Sequence, residues 1–215
     1  MSTRKGPFFL LYFFCISLSS YSQKGELENL KSILNSDKIH QISFQKYMLI
    51  QQQYANADKE LTMAFGDSLL AREEFMDVDS MKAKAYFELG YNYRNWGDNV
   101  KTKFFLTESR ALYQKLKDIP HQTDATNLLA VYYANIDEDS TAMQLYTETI
   151  RLAQSIPDTL RWISPYKGLS SLFAKMGLND KCITFCKEGL ALAKATNDPR
   201  SIAALSNNMA IGYYQ

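Results

Sequence analysis

Apolar residues recur along this chain every three to four positions, in blocks separated by short polar turns, which is the pattern of amphipathic helices packed on one face. The block over residues 83–116, AKAYFELGYNYRNWGDNVKTKFFLTESRALYQKL, shows it best. It predicts two helices joined at Trp96-Gly97-Asp98, with the glycine ending one helix and Asp98 placed to cap the next. A shift of 40 residues lays this block on the chain that follows: Leu89 falls on Leu129, Leu169 and Met209, and Tyr93 on Tyr133, Phe173 and Tyr213. Between them runs a column of small residues, Gly90, Ala130, Ser170 and Ala210. The second helix keeps step through Thr102, Ala142 and Cys182, through Leu106, Tyr146 and Cys186, and through Ser109, Thr149 and Gly189. The turn recurs as Gly97, Asp137 and Gly177. A fixed period between about 20 and 50 residues, each unit a helical hairpin, predicts a solenoid.

The same frame organises the rest. Residues 43–78 read as a degenerate first repeat, with Leu49 on the leucine column, Ala57 on the turn, and Thr62, Gly66 and Leu69 near the second-helix columns. Complete repeats follow over 79–118, 119–158 and 159–198, and a partial one over 199–215. Asp79 or Ser80 is placed to cap the first helix of the second repeat, and the first helix of the third is expected to begin around Thr123. Pro120, Pro157 and Pro199 fall between repeats. Asp158 is a cap candidate, and Asp198-Pro199 opens the last helix with a cap followed by proline at the first helical position. Ahead of the repeats, over residues 23–42, a short helix with Leu27, Leu30, Ile33 and Leu34 on one face is expected to cover the end of the stack.

Residues 1–22 follow another plan. Arg4 and Lys5 precede an apolar run from Phe8 to about Leu18, and Ser20 and Ser22 follow it, which is the layout of a secretory signal peptide. The run is shorter than the roughly 18 residues that span a bilayer, so export to the periplasm or cell envelope is expected, with cleavage after Ser22. At the other end the chain stops at Gln215 with its last helix unpaired. That predicts either a fragment or a helix covered by a partner, self-association through the open helix included.

Charge narrows the partners. The whole chain carries +1, and because residues 1–22 hold two basic residues and no acid, the remainder carries −1. Nothing there favours nucleic acid or an anionic membrane, and a membrane link is expected only through a segment beyond residue 215. His40 and His121 stand apart with no nucleophile at useful spacing. Cys182 and Cys186 lie four apart on one helical face, in core columns, and read as buried thiols rather than a disulfide or half of a metal site. The run Asp137-Glu138-Asp139 lacks the glycine and distal glutamate of a calcium loop, and reads as capping the helix after it. No phosphate loop, catalytic carboxylate pair or nucleophile elbow is present. No cofactor, no metal and no catalysis are expected.

A large residue at Tyr86, then Leu89-Gly90, Tyr93, Gly97-Asp98 and small residues in the second helix resemble the tetratricopeptide repeat (TPR). The later units match less fully, with Ala130 and Ser170 in place of the glycine, Cys182 in place of the usual alanine, and a period of 40 instead of the family's 34. The resemblance spans residues 43–215. It implies an all-α, right-handed superhelical solenoid of antiparallel helix pairs, with a concave groove lined by the first helix of each repeat. Carried over position by position, that groove is Phe87, Glu88, Tyr91, Arg94 and Asn95, then Asn127, Leu128, Val131 and Asn135, then Lys167, Ser171 and Lys175, then Asn207, Asn208 and Ile211. Lys167 and Asn208 match the family's carboxylate clamp, while Ser171 stands where asparagine is expected. The implied function is a non-catalytic scaffold for a protein or peptide ligand. An exported chain of this kind also resembles the input region of sensor histidine kinases and membrane-linked transcription regulators, and that is the alternative reading.

Overall fold

The computed structural model describes residues 25–157 and 160–214. The described residues are helical, without a strand, and fall into two compact units divided between Ala71 and Arg72. The signal-peptide segment, Asp158 as a cap, and the terminal Gln215 lie outside the described residues.

The first unit contains α1 (residues 25–34), a 3-10 turn (Asp37–Gln41), α2 (Phe44–Gln53) and α3 (Lys59–Leu70). Leu27, Leu30, Ile33 and Leu34 are the inward positions of α1, and the salt bridges Lys31–Asp58 and Lys46–Glu26, both 3.4 Å, tie α1 to its neighbours. Tyr47, Ile50, Phe65 and Leu69 form the centre, with Tyr47 and Phe65 in edge-on ring contact at 6.2 Å. Thr62, Gly66 and Leu69 are buried as expected. Leu49 is not: it is 37% exposed, and Ile50, Gln51 and Tyr54 take the inward places. The helix sits one residue out of the 40-residue frame. Gln51 replaces the small column residue, and its amide donates to the Thr62 carbonyl at 2.9 Å, so a hydrogen bond joins the two helices where the later repeats use close packing.

The second unit runs through α4 (Glu73–Met76), α5 (Asp79–Asn95), α6 (Asn99–Lys115), α7 (Ile119–Asn135), α8 (Asp139–Ala153), α9 (Leu160–Lys175), α10 (Asn179–Ala195) and α11 (Pro199–Tyr214). Each helix from α5 onward packs on the next, and α5, α7, α9 and α11 also touch in sequence as a row. This is the helical-hairpin solenoid the period predicts. The columns are its core: Leu89, Ala130, Leu169 and Ser170 are buried, as are Thr102, Leu106, Ala142, Tyr146, Cys182 and Cys186. Cys182 and Cys186 are free thiols. An added Cβ at Gly90 would lie 2.6 Å from Leu106 Cδ2, so the glycine sets how closely α5 and α6 approach.

The turns obey a shorter rule than the hairpins. Gly97, Lys117, Asp137, Gly177 and Asn197 all have positive φ, at spacings of 20 or 40 residues. At each, the next residue's amide bonds back across the helix end: Asp98 to Tyr93, Asp118 to Tyr113, Glu138 to Tyr133, Leu178 to Phe173 and Asp198 to Ala193, all at 2.9–3.0 Å. These are Schellman turns, and they follow second helices as well as first ones. Where that next residue is aspartate it also caps the helix it opens: Asp98 accepts from the Lys101 amide, Asp118 from His121, and Asp198 from Ser201.

Several local expectations are corrected. Val78 occupies the cap position of α5 and Asp79 is its first residue, paired at 2.6 Å with Lys115. Helix α7 begins at Ile119, not near Thr123, because Asp118 caps it and Pro120 is tolerated in a first turn. Pro165 lies inside α9. Glu138, at the cap of α8, makes no capping bond; Asp137 and Asp139 instead hold Lys175 at 2.6 and 2.9 Å.

Candidate functional site

A cleft of about 320 Å³ opens between α5 and α7, lined by Phe87, Glu88, Tyr91, Asp124, Asn127 and Leu128. Successive helices of the inner row project the same face, so residues 40 apart stand side by side: Phe87 beside Asn127, Glu88 beside Leu128. The floor is apolar, formed by half-buried Phe87, buried Leu128 and the ring of Tyr91, which is 43% exposed.

Polar groups ring that floor. Asn127 donates its amide hydrogen to Ser164 Oγ at 3.0 Å, which turns its carbonyl oxygen the other way. That oxygen is buried and has no hydrogen-bond partner among the described residues. Arg161 on α9 reaches Asp124 at 3.0 Å and bridges the next repeat. The Glu88 carboxylate and the Asp124–Arg161 pair stand at this end of the cleft. The Glu88 and Asp124 charges reach buried Tyr113, whose phenol is pushed up first by burial and then by Asp118, Glu88 and Asp124. At the other end the Arg94 guanidinium lies over the Tyr91 ring at 5.3 Å and donates to Asn95 Oδ1 at 2.9 Å. The arrangement can take an apolar side chain on the Phe87, Tyr91 and Leu128 floor, with the polar side chains of Glu88, Asp124 and Asn127 around it.

The structure therefore gathers Phe87, Glu88, Tyr91, Asn127 and Leu128 into one cleft, with Arg94 and Asn95 at its rim. Val131 is half-buried against the core of the following hairpin, and Asn135 is exposed near the end of α7. The clamp-matching residues Lys167 and Asn208 meet across α9 and α11, and the cationic groove residue Lys175 is engaged elsewhere. Lys175 is held by Asp137 and Asp139, which raise its pKa, and Asn208 donates to Ser170 Oγ at 3.0 Å and to the Lys167 carbonyl at 3.4 Å. Those amide hydrogens serve the α9–α11 contact. Ser171 is exposed and Lys167 half-buried on α9, outside the cleft. On α11, Asn207 and Ile211 are exposed. Asp124, Ser164 and Arg161 are the cleft residues that sequence reasoning missed. The available signal was their spacing, since Asp124 and Ser164 stand 40 apart on the same face as Asn127.

Among the described residues, no cluster of three or more histidine, cysteine or acidic side chains is placed to hold a metal, and no helix is long and apolar enough to cross a membrane.

No family model and no curated protein matches the chain. Solved structures do. The crystal structure of nearly identical TPR-like repeats from a Podosopora anserina protein described as a kinesin light chain superposes with a TM-score of 0.65 at 14% identity, over 79% of this chain and 85% of that one. A glutamine-to-methionine variant of the same repeats gives the same score and identity over 79% and 84%. At that identity the likeness establishes the fold: an all-α solenoid of TPR-like hairpins.

Proposed function

We propose that this chain is a non-catalytic scaffold, exported to the periplasm or cell envelope, that holds an extended segment of a protein or peptide in the α5–α7 cleft. The observation that carries the reading is the cleft itself, an apolar floor of Phe87, Tyr91 and Leu128 with the Tyr91 ring 43% exposed and polar side chains around it. An apolar side chain laid on that floor would remove the exposed Tyr91 ring from water, at about 25 cal/mol for each Å² buried. A TPR-like fold is consistent with such a role.

The binding test is selection from a phage-displayed random peptide library, followed by fluorescence anisotropy on the enriched sequences. Tyr91→Ala removes exposed ring surface without touching the core, and at least a tenfold loss of affinity is expected with the helical circular dichroism unchanged. Peptides that bind the variant as well as the parent would overturn the assignment. Export rests on the basic, apolar and small-residue plan of residues 1–22. An alkaline phosphatase reporter fused after residue 30 is expected to be active in a Gram-negative host and inactive without residues 1–22; activity in neither form would remove that part of the reading.

A further inference from the structure

A larger cleft, of about 410 Å³, lies on the other side of the hairpins along α6, lined among others by Val100, Lys103, Phe104, Thr107, Glu108 and Tyr132. Val100 is 81% exposed and Phe104 53%, and Ala111 extends the stripe, giving positions 100, 104, 107 and 111 on one exposed helix face. The Phe104 ring is held, not loose: it packs on Phe105 at 5.1 Å and on Tyr86 at 6.1 Å. A fixed aromatic ring presented to water beside a valine is an energetic liability unless something covers it.

The charges beside the stripe indicate what does. Most charges of α6 are committed within the chain: Arg110 to Glu148 at 2.7 Å, Lys115 to Asp79, and Lys101 to Tyr93. Lys103 and Glu108 have no ion-pair partner among the described residues, the Lys103 ammonium lying only over the Tyr133 ring at 6.0 Å, and they flank Phe104 and Thr107 on either side. One positive and one negative group placed symmetrically about an apolar pair form a self-complementary pattern. We propose that α6 docks a second copy of this chain through the same face, the two helices running antiparallel about a two-fold axis near the 105–106 peptide. In that register Phe104 meets Thr107 of the partner subunit, Val100 meets Ala111 of the partner subunit, and Lys103 meets Glu108 of the partner subunit, each contact occurring twice.

One helix face per protomer is small for a stable interface, so a weak dimer is expected, with a Kd on the order of 100 µM. Sedimentation equilibrium over a concentration series tests it. Lys103→Glu and Glu108→Lys each turn both ion pairs into repulsions and are expected to weaken association at least tenfold. An equimolar mixture of the two variants is expected to associate again, because one carries only negative and the other only positive groups at the axis. The double exchange K103E/E108K is expected to dimerise as the parent does. Both positions are exposed, and circular dichroism checks that the variants remain folded. A chain that stays monomeric near 1 mM overturns the proposal, and so does a dimer whose mass ignores the single reversals, which would locate self-association on another face.

Discussion

The hairpins α5–α6 and α9–α10 fill one packing position in opposite ways. In the first, Leu106 presses on Gly90, and no room remains for even a methyl group between the helices. In the second, the same columns hold Ser170 and Cys186, both fully buried, with the thiol pushed up to about 11 by burial while a bond from Ser170 pulls the other way. A glycine against a leucine in one hairpin is replaced by two residues of middling size in the other. The hairpin between them shows the limit. Tyr146 is too large for Ala130 to absorb, so its ring passes out of its own hairpin and lies where a Cβ of Gly168 on α9 would be. At Tyr146 the bulk one hairpin cannot hold is taken up by the absent side chain of Gly168 in the next repeat.

The sharpest way to break this is Gly168→Ala. The new Cβ would collide with the Tyr146 ring, whose hydroxyl oxygen alone would be 2.7 Å away, and the ring is buried with nowhere to turn. A loss of about 3 kcal/mol is expected in urea unfolding, and adding Tyr146→Leu is expected to cost less than the sum of the two single changes. Gly90→Ala comes next, at about 2 kcal/mol, because Leu106 is equally enclosed. Ser170→Ala at the matching position of the looser hairpin is expected to cost less than about 1 kcal/mol, and equal losses would refute the contrast.

Alkaline unfolding probes the intermediate hairpin, α7–α8, through its buried phenol. Burial pushes the Tyr146 phenol up to about 12, above its unfolded value of about 10. The stability this represents is fully present below pH ~10 and is lost as pH rises toward 12, by on the order of 2 kcal/mol. Tyr146→Phe is expected to flatten that part of a stability-against-pH curve. The smallest effect belongs to the turns. Lys117 holds φ +56°, a conformation glycine adopts freely, so Lys117→Gly is expected to gain about 0.5 kcal/mol in melting experiments, and a loss would show that its side chain contributes more than its strain costs.

The columns were legible in the sequence because interlocking side chains must repeat whenever the crossing angle repeats. Leu89, Leu129 and Leu169 are buried for one reason and were found by one shift. Leu49 misled because α2 slips by a residue, and a slip is invisible where a polar Gln51 supplies the contact through a hydrogen bond. The cleft was half legible. Periodicity identifies which residues share a face, so Phe87, Tyr91 and Asn127 were found. It does not say which polar groups are already satisfied. Lys175 in the expected groove and Asn208 of the clamp-like pair carry binding chemistry by type, yet each spends it on a neighbouring element. The turn at Lys117 was missed because neither it nor Asn197 is a glycine, although Asp98, Asp118 and Asp198 mark the shorter spacing.

That spacing has an evolutionary corollary. Since the same turn closes α5, α7 and α9 as well as the second helices α6 and α10, the recurring structural unit is a single helix with its turn, 20 residues long. Losing or gaining one such unit would exchange the two rows for every helix downstream. A gene of this architecture that grows by pairs of units keeps each helix in its row, whereas a single insertion would turn the face of every later helix to the opposite side of the stack.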